Sequence, residues 1–146
     1  MRLEHVMGTQ TVLGHYHWTI IEQKAPFSKE VEGTKYVLDW RPMLLEILNA
    51  IRASEPTFSI AAKFHNTLVE MALDVARRVA LPQVVLSGGC FQNKYLSERL
   101  ISRLKEEGFD VYWHSQVPAN DGGISLGQAV IASACWKNKK GASPCV

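Results

Sequence analysis

From residue 36 onward the hydrophobic positions fall into regular periods. Met43, Leu44, Ile47, Leu48 and Ile51 recur at helical spacing. Asp39 stands just before them, and Pro42 is the residue type favoured in a first helical turn. Pro56 ends that element. Thr57 or Ser59 is placed to cap a second helix, whose face reads Ile60, Phe64, Leu68, Met71, Val75 and Val79. Pro82 stops it. Gln83 to Ser87 is a short apolar strand, buried on both faces if it lies centrally in a parallel sheet. Asn93 to Glu107 has Leu96, Leu100, Ile101 and Leu104 on one side and predicts an amphipathic helix, with Gly108 as its left-handed stop. Phe109 to Trp113 reads as a second strand and "PANDGG" as a turn. A helix of small residues then runs from Gly122 or Gly123 to about Cys135, a composition suited to close packing against a sheet.

Residues 1–33 are less ordered in pattern, mixing turn formers with a short β-prone run from Trp18 to Ile21. The expected organisation is an irregular segment over 1–33, one α/β lobe over 34–136 and a basic tail over 137–146. No internal repeat or low-complexity segment is present.

The strand–helix–strand–helix order has a geometric consequence. A βαβ crossover makes its strands parallel, so the loops leaving both strands emerge at the same sheet edge. Those loops are "SGGCFQN" and "PANDGG". Gly88, Gly89, Asn93, Asn120, Asp121, Gly122 and Gly123 are thereby expected at one crevice, where open α/β sheets bind ligands. Glycine lets backbone approach a ligand closely, and the following helix start offers unpaired N–H groups to an anion such as phosphate. The plainer alternative is that each glycine pair only makes a tight turn.

Composition narrows the partners. The chain has 146 residues, 47% hydrophobic and 21% charged, with a net charge of +2, which suits one globular domain and gives no case for nucleic acid. Lys137, Lys139 and Lys140 form the one basic cluster, read as a solvated tail. No apolar run reaches the length of a membrane span, and residues 1–20 lack the core of a secretory signal. Cys90, Cys135 and Cys145 are odd in number and form no CxxC pair, as expected of reduced thiols in a cytoplasmic protein.

The Ser-Gly-Gly loop has neither the Walker A spacing nor a G-x-G-x-x-G fingerprint, and it lacks the Asp-Ser pair of PP-loop ATPases. Instead, "LSGGCFQNKYLSERL" followed by "GFDVYWHSQVPANDGGISLGQAVIA" resembles the C-terminal end of the HypF family of hydrogenase maturation carbamoyltransferases. "LDWRPMLLEIL" and "IAAKFHNTLVEMAL" extend the resemblance upstream, so that it covers about residues 36–135.

The resemblance implies a single lobe of an actin-like, ribonuclease-H-like ATPase fold, with helices packed on a small sheet containing a parallel βαβα unit. It implies the second lobe of a two-lobed transferase domain related to the tRNA threonylcarbamoyltransferases. The implied activity is ATP-dependent carbamoyl transfer from carbamoyl phosphate, through a carbamoyl-adenylate, to a C-terminal cysteine of a HypE-like acceptor. Its cofactors would be ATP and a divalent metal ion. By the same resemblance, Ser87, Gly88 and Gly89 are the nucleotide-contacting loop, with Gly122 and Gly123 opposite. Asn93 holds the adenylated substrate, and Asp121 is a metal ligand. Helix capping is an equally natural role for Asn93 and also suits Asp121.

His65 in "KFHNT" also matches the family and reads as a core or lobe-contact residue. Cys90 reads as a small buried hydrophobe, Tyr112 and Trp113 as sheet core, and His15 with His17 as a surface pair. The HxxxH motif that completes the family's metal site does not occur in the sequence, nor does the first lobe's phosphate loop. The chain is therefore expected to form at most half a cleft, inactive until a first lobe or another HypF chain joins it. The alternatives are a catalytically silent binding lobe and a threonylcarbamoyl-type transferase lobe.

Overall fold

The computed structural model of the chain describes residues 14–26 and 32–138. The expected basic tail beyond residue 138, with Lys139, Lys140 and Cys145, lies outside the described residues. Among the described residues the strands and α-helices follow in the order β1 (Thr19–Pro26), β2 (Glu32–Asp39), α1 (Arg41–Arg52), α2 (Thr57–Val79), β3 (Gln83–Leu86), α3 (Lys94–Glu106), β4 (Asp110–Trp113) and α4 (Ile124–Asn138). β1 and β2 form an antiparallel hairpin, in register from Thr19 opposite Asp39 to Pro26 opposite Glu32. β3 and β4 form a separate parallel pair, with Val85 opposite Tyr112.

The α/β lobe with helices on a small sheet and a parallel β3–α3–β4 unit is the expected architecture. On α3 the core lies where the helical period placed it, but on α2 it is centred on Val69 and Leu73 rather than on the expected face, because that helix is buried on more than one side. Val69 and Leu73 of α2 meet Leu96, Leu100 and Leu104 of α3 and Leu86 of β3, all buried. Arg103 of α3 reaches Glu70 of α2 at 3.1 Å, bracing the same helix pair from its half-buried rim. A second cluster joins Tyr16, Met43 and Met71.

Helix ends follow local chemistry, with some differences from expectation. Asp39 Oδ1 accepts from the Arg41 N–H at 3.1 Å, so it closes the start of α1 from one residue outside the cap. Neither Thr57 nor Ser59 caps α2: Pro56 holds that position and the Ser59 hydroxyl donates to Glu55 instead. α2 stops at Ala80, which takes a left-handed φ of 55°, before Pro82 is reached. Gly108 supplies the expected left-handed stop after α3, at φ 85°.

Packing differs from expectation in several places. The central position that would bury β3 on both faces is not realised: among the described residues its parallel sheet has two strands, α3 covers one face, and Val85 is 70% exposed. Tyr112 and Trp113 are consequently exposed rather than core, at 52% and 46%. Every residue from Ile124 to Ala134 in α4 is also exposed, so this helix packs on no sheet among the described residues. α1 adds to the bare apolar surface with Leu44, Leu45, Leu48 and Ile51, whereas α2 adds Val79 at its end. No helix among the described residues is long and apolar enough to cross a membrane.

Candidate functional site

The two loops at the C-terminal edge of the parallel pair do converge. The N–H of Gly88 donates to the carbonyl of Ala119 at 2.8 Å, a direct tie between the loop after β3 and the loop after β4. Ser87 Oγ lies 3.2 Å from His114 Nε2 beside it. Sequence reasoning passed over His114; its position one residue past the second strand was the available signal. Beneath the loops is a cavity of about 30 Å³, lined in part by Phe91, Trp113 and Ala119, which has room for one water rather than a ligand. A larger ligand at these loops has room only on their open side.

The four glycines are not equivalent. Gly88 has φ 110° and ψ 160°, a region open essentially to glycine alone, so its residue type is fixed by backbone conformation. Gly89 has ordinary φ and begins a 3-10 turn, Gly89–Gln92. A Cβ there would meet only Asn120 Cβ, at an unstrained 3.9 Å. Nothing among the described residues requires glycine at 89. Gly122 and Gly123 are enclosed: an added Cβ would lie 3.0 Å from Asn120 Oδ1 and 3.0 Å from the Pro118 carbonyl respectively. The second pair is accounted for by a tight turn.

Asn93 sits at the start of α3 with both ends of its amide engaged. Its Oδ1 accepts from the Leu96 N–H at 3.0 Å, the expected cap. Its Nδ2 lies 2.8 Å from Nε2 of His65, on α2. His65 is 3% exposed and its other ring nitrogen is 2.7 Å from the Ala61 carbonyl. Phe64 and Tyr95 stand edge-on to the imidazole, at centroid distances of 5.5 and 5.7 Å. His65 is thus the satisfied core residue expected, and its partner is the site asparagine itself.

Asp121 is exposed in the 3-10 turn Asp121–Gly123. The capping role weighed for it is taken by Asn120, whose Oδ1 accepts from the Gly122 N–H at 3.0 Å. Among the described residues no three His, Cys, Asp or Glu side chains come together to hold a metal ion. A hard carboxylate on an open face can contribute one ligand to a cation, and the others would have to come from elsewhere. Cys90 is exposed on the Gly89–Gln92 turn, not buried as expected, because the turn lifts it off the core that Phe91 enters. His15 and His17 are exposed, as expected of a surface pair.

The loop pair lies at the open edge of a parallel βαβ unit, the place where open α/β sheets bind ligands. The family described as "Carbamoyltransferase, Kae1-like Domain, second subdomain" matches residues 1–128, and the chain belongs to that family. Its relatives are HypF proteins. The carbamoyltransferase HypF of Synechocystis sp. is 38% identical over 109 residues, covering 75% of this chain and 14% of the relative. That of Rhizobium leguminosarum bv. viciae is 40% identical over 107 residues, 70% of this chain and 14% of the relative. The crystal structure of full-length HypF in a phosphate- and nucleotide-bound form superposes with a TM-score of 0.71 at 40% identity, covering 90% of this chain and 16% of that one. HypF of T. kodakarensis shares the fold, with a TM-score of 0.60 at 22% identity. The chain therefore spans about a seventh of the length of these relatives.

Proposed function

We propose that this chain supplies one side of the nucleotide cleft of a HypF-type carbamoyltransferase. The observation that carries the reading is Gly89, a glycine with ordinary backbone angles and open space around it, on the loop tied to Ala119. Glycine at a position that does not need it for its own conformation lets a ligand approach the backbone closely. That a HypF relative has been solved with phosphate and nucleotide bound supports ATP as the ligand.

In this reading Ser87, Gly88 and Gly89 line the phosphate side, and Gly122 and Gly123 fix the facing turn. Asn93 orients the carbamoyl-adenylate from the start of α3. Asp121 supplies one carboxylate to a divalent cation whose other ligands belong to the first subdomain; the cation would offset phosphate charge. The overall reaction is ATP-dependent transfer of a carbamoyl group from carbamoyl phosphate to the C-terminal cysteine of a HypE-like acceptor during [NiFe] hydrogenase maturation. A first subdomain, or another HypF chain, completes the cleft in the cytoplasm.

One carboxylate and one glycine loop do not make a catalytic centre, so the lobe alone is silent. The test is cleavage of ATP to AMP and pyrophosphate with carbamoyl phosphate present. The pure chain should stay at background, and adding a HypF first subdomain should bring turnover. Carbamoyl-phosphate-dependent turnover by the chain alone would overturn the half-cleft reading. Binding without turnover in the joined protein would instead favour a silent binding lobe.

A further inference from the structure

The contact between His65 and Asn93 fixes more than a helix start. The Ala61 carbonyl can only accept, so the His65 Nδ1 that lies 2.7 Å from it carries the proton. The Leu96 N–H takes Asn93 Oδ1 as its acceptor, so the group 2.8 Å from His65 Nε2 is Asn93 Nδ2, which donates to the lone pair on Nε2. Rotating the Asn93 amide by half a turn would set donor against donor at Leu96 and acceptor against acceptor at His65. A second proton on His65 would likewise oppose Nδ2. The ring cannot turn away, because it is buried between the Phe64 and Tyr95 rings.

We infer that His65 is a positioning residue: it holds Asn93 in one amide orientation, leaving the second Nδ2 proton as the donor that the half-buried side chain offers to a ligand. The ligand atom recognised there is an acceptor, such as a phosphate or carbonyl oxygen. This rests on the nucleotide reading of the loop for the identity of the ligand, but not for the orientation itself.

The experiment uses the chain with nitrogen-15 label, in wild-type, His65→Leu and His65→Gln forms, read by NMR and by titration with ATP. In the wild type the imidazole proton should be on Nδ1, with Nε2 unprotonated. In His65→Leu the Leu96 amide should stay protected from exchange, since the cap needs only Asn93. The Asn93 side-chain amide should exchange about tenfold faster and ATP affinity should fall up to about tenfold, the scale of one net hydrogen bond. His65→Gln restores an acceptor and should recover most of both. A wild-type proton on Nε2, or Asn93 exchange unchanged in His65→Leu, would overturn the inference. Should His65→Leu fail to fold, the wild-type tautomer and the His65→Gln exchange rates decide it. Absence of ATP binding by all three forms, with the tautomer and exchange as expected, would count against the nucleotide reading and leave the positioning role supported.

Discussion

Gly88 N–H and the Ala119 carbonyl, 2.8 Å apart and separated by α3 and β4 in the chain, join the two loops that a parallel crossover brings to one edge. The bond depends on the φ of 110° at Gly88, which turns the chain out of β3 before the 3-10 turn begins. Gly88→Ala keeps the side chain small but forces it into that conformation. The expected cost is about 1–3 kcal/mol of stability, read as a lowered thermal or urea midpoint. Gly89→Ala, with ordinary φ and open space, should melt close to the wild type. Equal destabilisation by the two substitutions would contradict this division of roles.

The core between α2, α3 and β3 gives a second expectation. Leu73 is fully buried among Val69, Leu100 and Leu104. Leu73→Ala should lower stability by about 2–5 kcal/mol, through lost transfer energy and the cavity left behind. Urea denaturation followed by circular dichroism measures it. A change below about 1 kcal/mol would mean the helices collapse onto the gap and that this cluster is less rigidly packed than its burial implies.

α3 was legible from periodicity, because it buries one stripe of a regular helical repeat at Leu96, Leu100 and Leu104, whereas Leu44, Leu48 and Ile51 of the stripe read on α1 lie exposed. The crossover rule then sufficed to place "SGGCFQN" beside "PANDGG". β2 was harder to see. Its first residues, Glu32 to Lys35, are polar or glycine, and its pairing with β1 is a tertiary fact. Tyr112 and Trp113 read as core for a related reason: an apolar strand reads as central whether or not neighbours cover it. His65 and Asn93 lie 28 positions apart, and no local pattern announces that one orients the other. At Gly122 and Gly123 the sequence allows a plain turn, and the contacts with Asn120 and Pro118 support it.

Exposed apolar surface leads to a prediction about association. Leu45, Ile51, Val85, Val130, Ile131 and Trp136 are each more than half exposed. Contiguous apolar patches beyond a few hundred Å² mark interfaces or aggregation sites. The isolated chain should self-associate in a concentration-dependent way in sedimentation velocity runs. Leu45→Glu with Val130→Glu should shift it towards monomer. A wild-type chain that stays monomeric at high concentration would count against a missing companion subdomain.

A pH prediction follows from the turn between β2 and α1. The Arg41 side chain donates to both oxygens of Asp39, at 2.8 and 2.7 Å, and with the Arg41 backbone N–H it holds the Asp39 carboxyl down at about 2, against an ordinary 3.8. A folded value below the unfolded one stabilises at pH above the ordinary value, and that contribution disappears as pH falls through about 2. Asp39→Asn should therefore melt below the wild type near neutral pH, and the gap should narrow as acid is added. Melting curves across the acid range check this; a gap that widens towards low pH would contradict it. The pair is solvent-exposed, so the effect is small and screened by salt.

The most direct test of the central claim is nucleotide affinity and thermal melting measured together for Gly89→Val in this lobe joined to a HypF first subdomain. The backbone at Gly89 has no need of glycine, whereas a branched side chain would fill the space proposed for the ligand. The expected result is a melting temperature within a few degrees of wild type, the scale of about 1 kcal/mol, with ATP affinity reduced at least about tenfold. If instead Gly89→Val melts the lobe while its folded fraction binds ATP normally, the Gly88–Gly89 pair is only a turn, and this chain does not form its side of the cleft there.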